Sequence, residues 1–447
     1  MPAKKHIVTL RAPEGYNRWW TVVAAVLINL SIGQVYAFSV FNLRLTRIIG
    51  VVESAPGDWT RTTIGWVFTL AYVFLGLSAG LSGKWQERVG PRVSGIVAAV
   101  CFSGGFFLAA LGIYFHEIAL LYLGYGVIGG CGLGIGFTTP ISPLIRWFPD
   151  HRGLATGMAI MGFGGGAIVA APASEALMSR FSSPSSVGVW ETFVVLGSVY
   201  LAAMLTGAFL FRIPPEAEET SSAAEREHLA GVTVDEAVRT PQFYLMWTIL
   251  LLNVTAGLGV LGQASPMIQE VFAGFSAPAA AAFVALLSFF NMGGRLLWAT
   301  LSDFIGRRAT YSVFFTLGPL LYAAVPFAGG LGSVTLFVAC FALILSMYGG
   351  GFASLPAYVA DVFGSRDVGP IHGRLLTALS VAGVAGPVLV NYVREHQIAR
   401  GVSQGDAYDV TMVLLAALLV VAFFCNRAIR PRKPAISGAR RESAPEA

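Results

Sequence analysis

Charge is scarce in this sequence: Asp, Glu, Lys and Arg together make up 12% of 447 residues, about half the share of a soluble globular chain. With a hydrophobic fraction of 55%, that scarcity excludes a water-soluble domain and leaves an integral membrane protein. Cysteine is nearly absent as well. Cys101, Cys131, Cys340 and Cys425 fall in or at the ends of apolar runs without paired spacing, so neither a disulfide framework nor a metal site is expected. No nucleophile and base pair, no cluster of metal ligands and no phosphate loop emerges, which argues against an enzyme and against a cofactor. The glycines from Gly162 to Gly166 lie inside an apolar run and read as helix packing. A net charge of +5 raises the question of nucleic acid, but the basic residues flank apolar runs and form no separate domain.

What is abundant is long apolar runs. Twelve have roughly the 17 to 25 residues that cross the hydrocarbon as a helix: 19–41, 62–82, 93–114, 118–144, 153–178, 190–211, 243–269, 279–302, 309–328, 334–360, 370–392 and 408–428. Fifty-two glycines and many small-residue pairs suit close helix approach in lipid. The first run is long and ends in no small-residue cleavage pattern, so no cleavable leader is expected. An even number of spans puts both termini on one side. Of the 29 Lys and Arg residues, 22 fall on that side and 6 on the other, which predicts cytoplasmic termini in a multi-pass protein of the cell membrane.

The polar stretch between the sixth and seventh runs divides the spans six and six. The expected organisation is an N-terminal arm (1–18), a six-helix bundle (19–212), a cytoplasmic linker (213–242), a second bundle (243–429) and a cytoplasmic tail (430–447). Within the linker, Val232 to Arg239 has the pattern of a short amphipathic helix ahead of Pro241.

The halves repeat each other. The loop Gly83-Lys-Trp-Gln-Glu-Arg-Val-Gly-Pro-Arg92 follows the second span and Ala299-Thr-Leu-Ser-Asp-Phe-Ile-Gly-Arg-Arg308 follows the eighth, matching Glu87, Gly90 and Arg92 with Asp303, Gly306 and Arg308 at an offset of 216 residues. An acid at a helix end can accept bonds from a neighbouring helix start, the Gly permits a tight turn, and the Arg pairs with acids or lipid phosphate. Parallel six-helix repeats imply two bundles with a site at their interface. This pattern resembles the major facilitator superfamily of secondary transporters. Three further stretches, Trp147 to Gly166, Asn17-Arg-Trp19 leading into Gly33 to Phe41, and Ile371-His-Gly-Arg-Leu-Leu-Thr-Ala378, resemble its oxalate/formate antiporter branch and the related monocarboxylate transporters.

One residue stands out chemically. Arg295 lies inside the eighth apolar run, where an Arg costs about 2.5–3.5 kcal/mol on insertion scales and turns to a partner or an aqueous cavity. Its planar, permanently charged fork meets a carboxylate in two parallel bonds. The competing reading is a structural ion pair or a residue reaching for the surface. In the family resembled, an Arg at this position meets the substrate carboxylate. Gln34 and Tyr36 on the first helix, Tyr125 on the fourth and Tyr348 on the tenth are candidate donors around it. The last two sit beside glycines, in Gly124-Tyr-Gly126 and Tyr348-Gly-Gly-Gly351. His372 could relay a proton or gate the inner exit, or simply close a helix start. Glu175 is the acid within a span, near its outer end, and Asn291 stands four residues before Arg295.

Two departures from the family bear on cargo. Oxalate carriers of this branch continue Thr377-Ala378 with a Lys, which would serve a second carboxylate; this chain has Leu379. Vertebrate-type monocarboxylate transporters carry a Lys in the first helix and an Asp one turn before the helix 8 Arg; here the first helix has no Lys and Asn291 replaces the Asp, so their proton mechanism does not transfer directly. The expectation is therefore an all-helical secondary transporter with twelve transmembrane helices in two pseudo-symmetric bundles. It would act as a monomer in a lipid bilayer and carry a small monocarboxylate with a proton. An oxalate/formate-type anion exchanger is the alternative within transport. A carboxylate sensor that binds without moving its ligand is the alternative outside it.

Overall fold

The computed structural model describes residues 12, 13, 15–214, 231–272 and 274–430. The acidic part of the linker and most of the two terminal arms lie outside the described residues. Eleven helical segments are long and apolar enough to cross a membrane. One of them, Thr63–Tyr114, has 52 residues, about 78 Å of helix and far more than one crossing needs. It breaks at Gly90, whose φ of 82° and ψ of 168° are not helical, so it supplies two antiparallel spans and brings the total to twelve. No strand occurs among the described residues, only two isolated bridges.

The first bundle is built from α1 (Trp19–Ile32), a 3-10 stretch (Gly33–Ala37), α2 (Ser39–Leu45), the broken α3 (Arg61–Tyr114), α4 (Ile118–Leu121), a π-helical stretch (Tyr122–Gly129), α5 (Gly130–Thr138), α6 (Ile141–Trp147), α7 (Arg152–Phe181) and α8 (Val189–Leu210). A single turn, α9 (Val234–Ala237), lies in the linker. The second bundle holds α10 (Pro241–Val271), α11 (Ala277–Ile305), α12 (Arg307–Gly330), α13 (Val334–Phe363), α14 (Val368–Leu375), α15 (Thr377–Ala399) and α16 (Asp409–Ala428).

Two features of this build position the site. The glycine run of α7 removes side chains where helices meet. A Cβ on Gly162 would stand 3.0 Å from the Val26 carbonyl oxygen, and one on Gly166 would stand 2.6 Å from the backbone of Gly33. The fourth span meanwhile widens into π-helix around Tyr125, a local change common at functional positions.

The face that carries the linker and both ends of the described chain, here the terminal face, is where the bundles are tied. Asp303 accepts from the backbone N–H groups of Gly153 and Leu154 at 3.0 Å each. Thr156 donates to the Ala353 carbonyl at 3.1 Å. The predicted linker helix shrinks to α9, closed by a capping box between Thr233 and Glu236. It docks on the second bundle, where Val234 N–H donates to Asp367 at 3.0 Å, and Asp235 pairs with Lys84 of the first. Toward the opposite face the strong ion pairs stay within one bundle: Arg44 with Glu175 at 2.6 Å, and Arg394 with Glu270 at 2.7 Å.

Candidate functional site

Arg295 is fully buried midway along α11, at the interface of the bundles. Its Nε donates to Asn291 Oδ1 at 3.0 Å, one Nη to the Ile160 carbonyl at 3.3 Å and the other to the Tyr36 hydroxyl at 3.3 Å. The guanidinium also sits over three rings: Phe163 at 5.3 Å, Phe352 at 5.5 Å and Tyr36 at 5.9 Å. Gly164 makes room for it, since a Cβ there would lie 3.0 Å from Nε. No carboxylate pairs with it among the described residues. Cation–π contacts and neutral acceptors recover part of the desolvation cost of this charge.

Two tyrosine hydroxyls and one side-chain amide nitrogen in the spans, those of Tyr348, Tyr72 and Gln34, are buried without a hydrogen-bond partner. Burying such a group unpaired costs about 1–3 kcal/mol. Tyr125 is placed differently from the other predicted donors. Its hydroxyl bonds Gln34 Oε1 at 3.0 Å while its ring packs on Phe38, Phe106 and Phe193. It orients Gln34 and leaves the amide nitrogen of that side chain free.

His372 is fully buried on α14 with both ring nitrogens unpartnered. It stacks on Phe137 with centroids 6.1 Å apart; Phe137 meets Phe163 at 5.2 Å, and Phe163 lies under the guanidinium. Two rings thus separate His372 from Arg295. Glu175 is not part of this set. Its side chain is 53% exposed and bound to Arg44, which ties the ends of α2 and α7.

A family description, Major Facilitator Superfamily, matches residues 15–387. The chain belongs to this superfamily. It is 27% identical to the oxalate:formate antiporter of Oxalobacter formigenes over 424 residues, covering 93% of this chain and 94% of that one. It is 26% identical to apicoplast pyruvate carrier 1 of Toxoplasma gondii over 437 residues, covering 85% and 77%. Its fold superposes on the crystal structure of the Escherichia coli fucose:proton symporter FucP with a TM-score of 0.66 at 14% identity, covering 91% and 97%. The chain is a multi-pass membrane transporter, not an enzyme.

The two repeated loops of this superfamily member share a backbone and part of their bonding. Gly90 and Gly306 have φ of 82° and 83°, the left-handed side that favours Gly. Arg92 donates to the Phe209 carbonyl at 2.7 Å and Arg308 to the Arg427 carbonyl, so each pins the last helix of its own bundle. Their acids differ: Asp303 reaches the other bundle and also pairs with Arg307, whereas Glu87 accepts from Ser142 and, at 2.8 Å, from Arg146 of its own bundle. Gly83 permits close approach there, because a Cβ would lie 2.6 Å from Pro370 Cα.

Sequence reasoning missed Tyr72. An aromatic inside a span is ordinary, and its hydroxyl becomes informative only when seen without a partner. No signal in the sequence pairs it with Gly383 on α15, which the fold brings against it: a Cβ there would stand 2.8 Å from Tyr72 Cβ.

Proposed function

We propose that this chain moves a small monocarboxylate of the lactate, pyruvate or formate class across the cell membrane by alternating access, with a proton as the coupled ion. The observation that carries the reading is Arg295: a fully buried cation with no acid partner among the described residues, held by Asn291, the Ile160 carbonyl and Tyr36. Arg295 holds the carboxylate, Asn291 fixes the angle of its fork, and Tyr36, Tyr348 and Gln34 complete the bonds. One fixed charge suits a monoanion, and the apolar Leu379 stands where a second cation would serve a dianion. The protein works as a monomer with its terminal face, where Asp303 and Thr156 bond across the bundles, toward the cytoplasm. His372 is the titratable group between Arg295 and that face, and it takes the coupling or gating role in preference to Glu175.

The likeness to an antiporter supports a second reading, exchange of one anion for another without a proton. Uptake of labelled lactate, pyruvate, formate and oxalate into proteoliposomes, with and without an inward proton gradient, separates the two. Gradient-stimulated monocarboxylate uptake that vanishes in Arg295→Ala is the expected result. A requirement for a trans anion establishes exchange, and saturable binding with no flux establishes a sensor. The thermal stability of Arg295→Ala should hold or rise, because the substitution removes a buried charge without a counter-ion. A structural ion pair would show the reverse, since breaking one costs about 3–5 kcal/mol.

A further inference from the structure

Three tyrosine hydroxyls converge near the guanidinium, and a carboxylate does not need all of them. Tyr36 on the first helix bonds Arg295 directly. Tyr72 on the second span and Tyr348 on α13 come from opposite bundles; each is nearly fully buried, and each hydroxyl lacks a hydrogen-bond partner. Both hydroxyls approach that of Tyr36 without the geometry of a formed hydrogen bond, and Tyr36 in turn accepts from Arg295 at 3.3 Å. Their rings are held by packing that only glycine permits. Tyr72 lies against Gly383 and 4.7 Å from Phe68, and the Tyr348 ring fills the space above Gly257. These hydroxyls are therefore fixed donors, not side chains that swing aside when unused.

The two Nη groups of Arg295 and the Tyr36 hydroxyl already offer donors to both oxygens of a carboxylate. Tyr72 and Tyr348 remain. Being neutral, they suit a neutral oxygen better than a second anionic group. The helix facing Tyr72 agrees: Leu379, one turn before Gly383 on α15, is buried and apolar, so a second negative charge would find no cation there.

We propose that Tyr72 is a specificity-determining residue whose hydroxyl, together with that of Tyr348, bonds a neutral oxygen on the carbon next to the carboxylate. The cargo is then a 2-oxo or 2-hydroxy monocarboxylate. This rests on the carboxylate reading of Arg295 given above. An acid lacking the 2-oxygen leaves both hydroxyls buried and unpaired, and a site built to bond such an oxygen discriminates strongly against the analogue without it.

The test compares pyruvate with propionate, which has the same three-carbon chain and no 2-oxygen, as labelled substrates for wild type and Tyr72→Phe in proteoliposomes. The ring stays in Tyr72→Phe, and propionate uptake reports whether the variant is folded. Wild type should favour pyruvate, and Tyr72→Phe should lower kcat/KM for pyruvate by at least about tenfold while leaving propionate within about twofold. Tyr348→Phe should move the same ratio in the same direction. If both acids are carried and neither variant changes the ratio, or if wild type favours propionate, Tyr72 does not read the 2-oxygen. If wild type carries neither acid, the carboxylate reading itself falls, and this inference with it.

Discussion

The loops after the second and eighth spans are repeats of each other, yet only one of them bonds its acid to the other bundle. Both turn on a left-handed glycine, and both send an Arg to the last helix of their own bundle. Asp303 then accepts from Gly153 and Leu154 at the start of α7, where backbone N–H groups and the helix dipole favour an anion. The symmetric partner of that helix start is α14, and the offset of 216 residues that relates the loops also relates Gly153 to Gly369 and Leu154 to Pro370. Glu87 reaches this second helix start; a Cβ on Gly369 would stand 3.1 Å from its Oε1. Proline has no N–H, so the second of the two mirror bonds cannot form. Glu87 instead bonds Ser142 and Arg146. One repeat therefore closes the terminal face and its copy braces its own bundle, although the two look equivalent in sequence.

The largest test of that difference is Asp303→Asn against Glu87→Gln. Charge-assisted bonds contribute about 1.5–3 kcal/mol, so Asp303→Asn should shift the equilibrium roughly tenfold or more toward an open terminal face, read as labelling of a cysteine placed at the bundle interface. Glu87→Gln should leave that labelling unchanged and lower the melting temperature modestly. Equal labelling in the two variants would remove the asymmetry.

Next come the glycines. Ala at position 90 or 306 must adopt a positive φ with extended ψ, a region essentially reserved for Gly, at a cost of about 1–3 kcal/mol, so both variants should lose a few degrees of melting temperature, to a similar extent. A smaller effect of opposite sign is expected from Pro370→Leu. It restores an N–H where Glu87 can use it, contributing about 0.5–1.5 kcal/mol, and should slow labelling of the terminal face.

The smallest effect belongs to the linker contact. A hydrogen bond from Lys84 holds the Asp235 carboxyl below the usual carboxylate range, against slight desolvation and with help from the charges of Lys84, Arg374 and Arg239. A lowered pKa means that the contact is complete above the ordinary Asp value of 3.8 and is lost only as pH falls below it. Lys84→Ala should therefore alter transport by less than about twofold, as exposed pairs do, with the same ratio to wild type at pH 5 and pH 8. A ratio that changes between those pH values would show that the linker titrates with function.

The spans were legible because apolar length and bordering charge are local properties, and the loop repeat because its acid, Gly and Arg keep their spacing. Arg295 was legible for the opposite reason, as a charge where lipid forbids one. What could not be read was partnership. Glu175 looks like an intramembrane acid until Arg44 is seen beside it, and Tyr125 looks like a cargo contact until its hydroxyl is found on Gln34. Tyr72 resembles any packed ring until its hydroxyl is found alone. The divergence of Glu87 from Asp303 depends on Pro370, which lies 283 residues further along the chain.

The central claim is that Arg295 carries the charge that binds the cargo. Equilibrium binding of labelled pyruvate to purified wild type and Arg295→Gln tests it without involving the gate, because Gln keeps hydrogen-bonding groups and removes only the charge. Saturable binding by wild type that falls at least about tenfold in a folded Arg295→Gln, as loss of a charged partner costs, is the predicted result. Undiminished binding by Arg295→Gln would contradict the account.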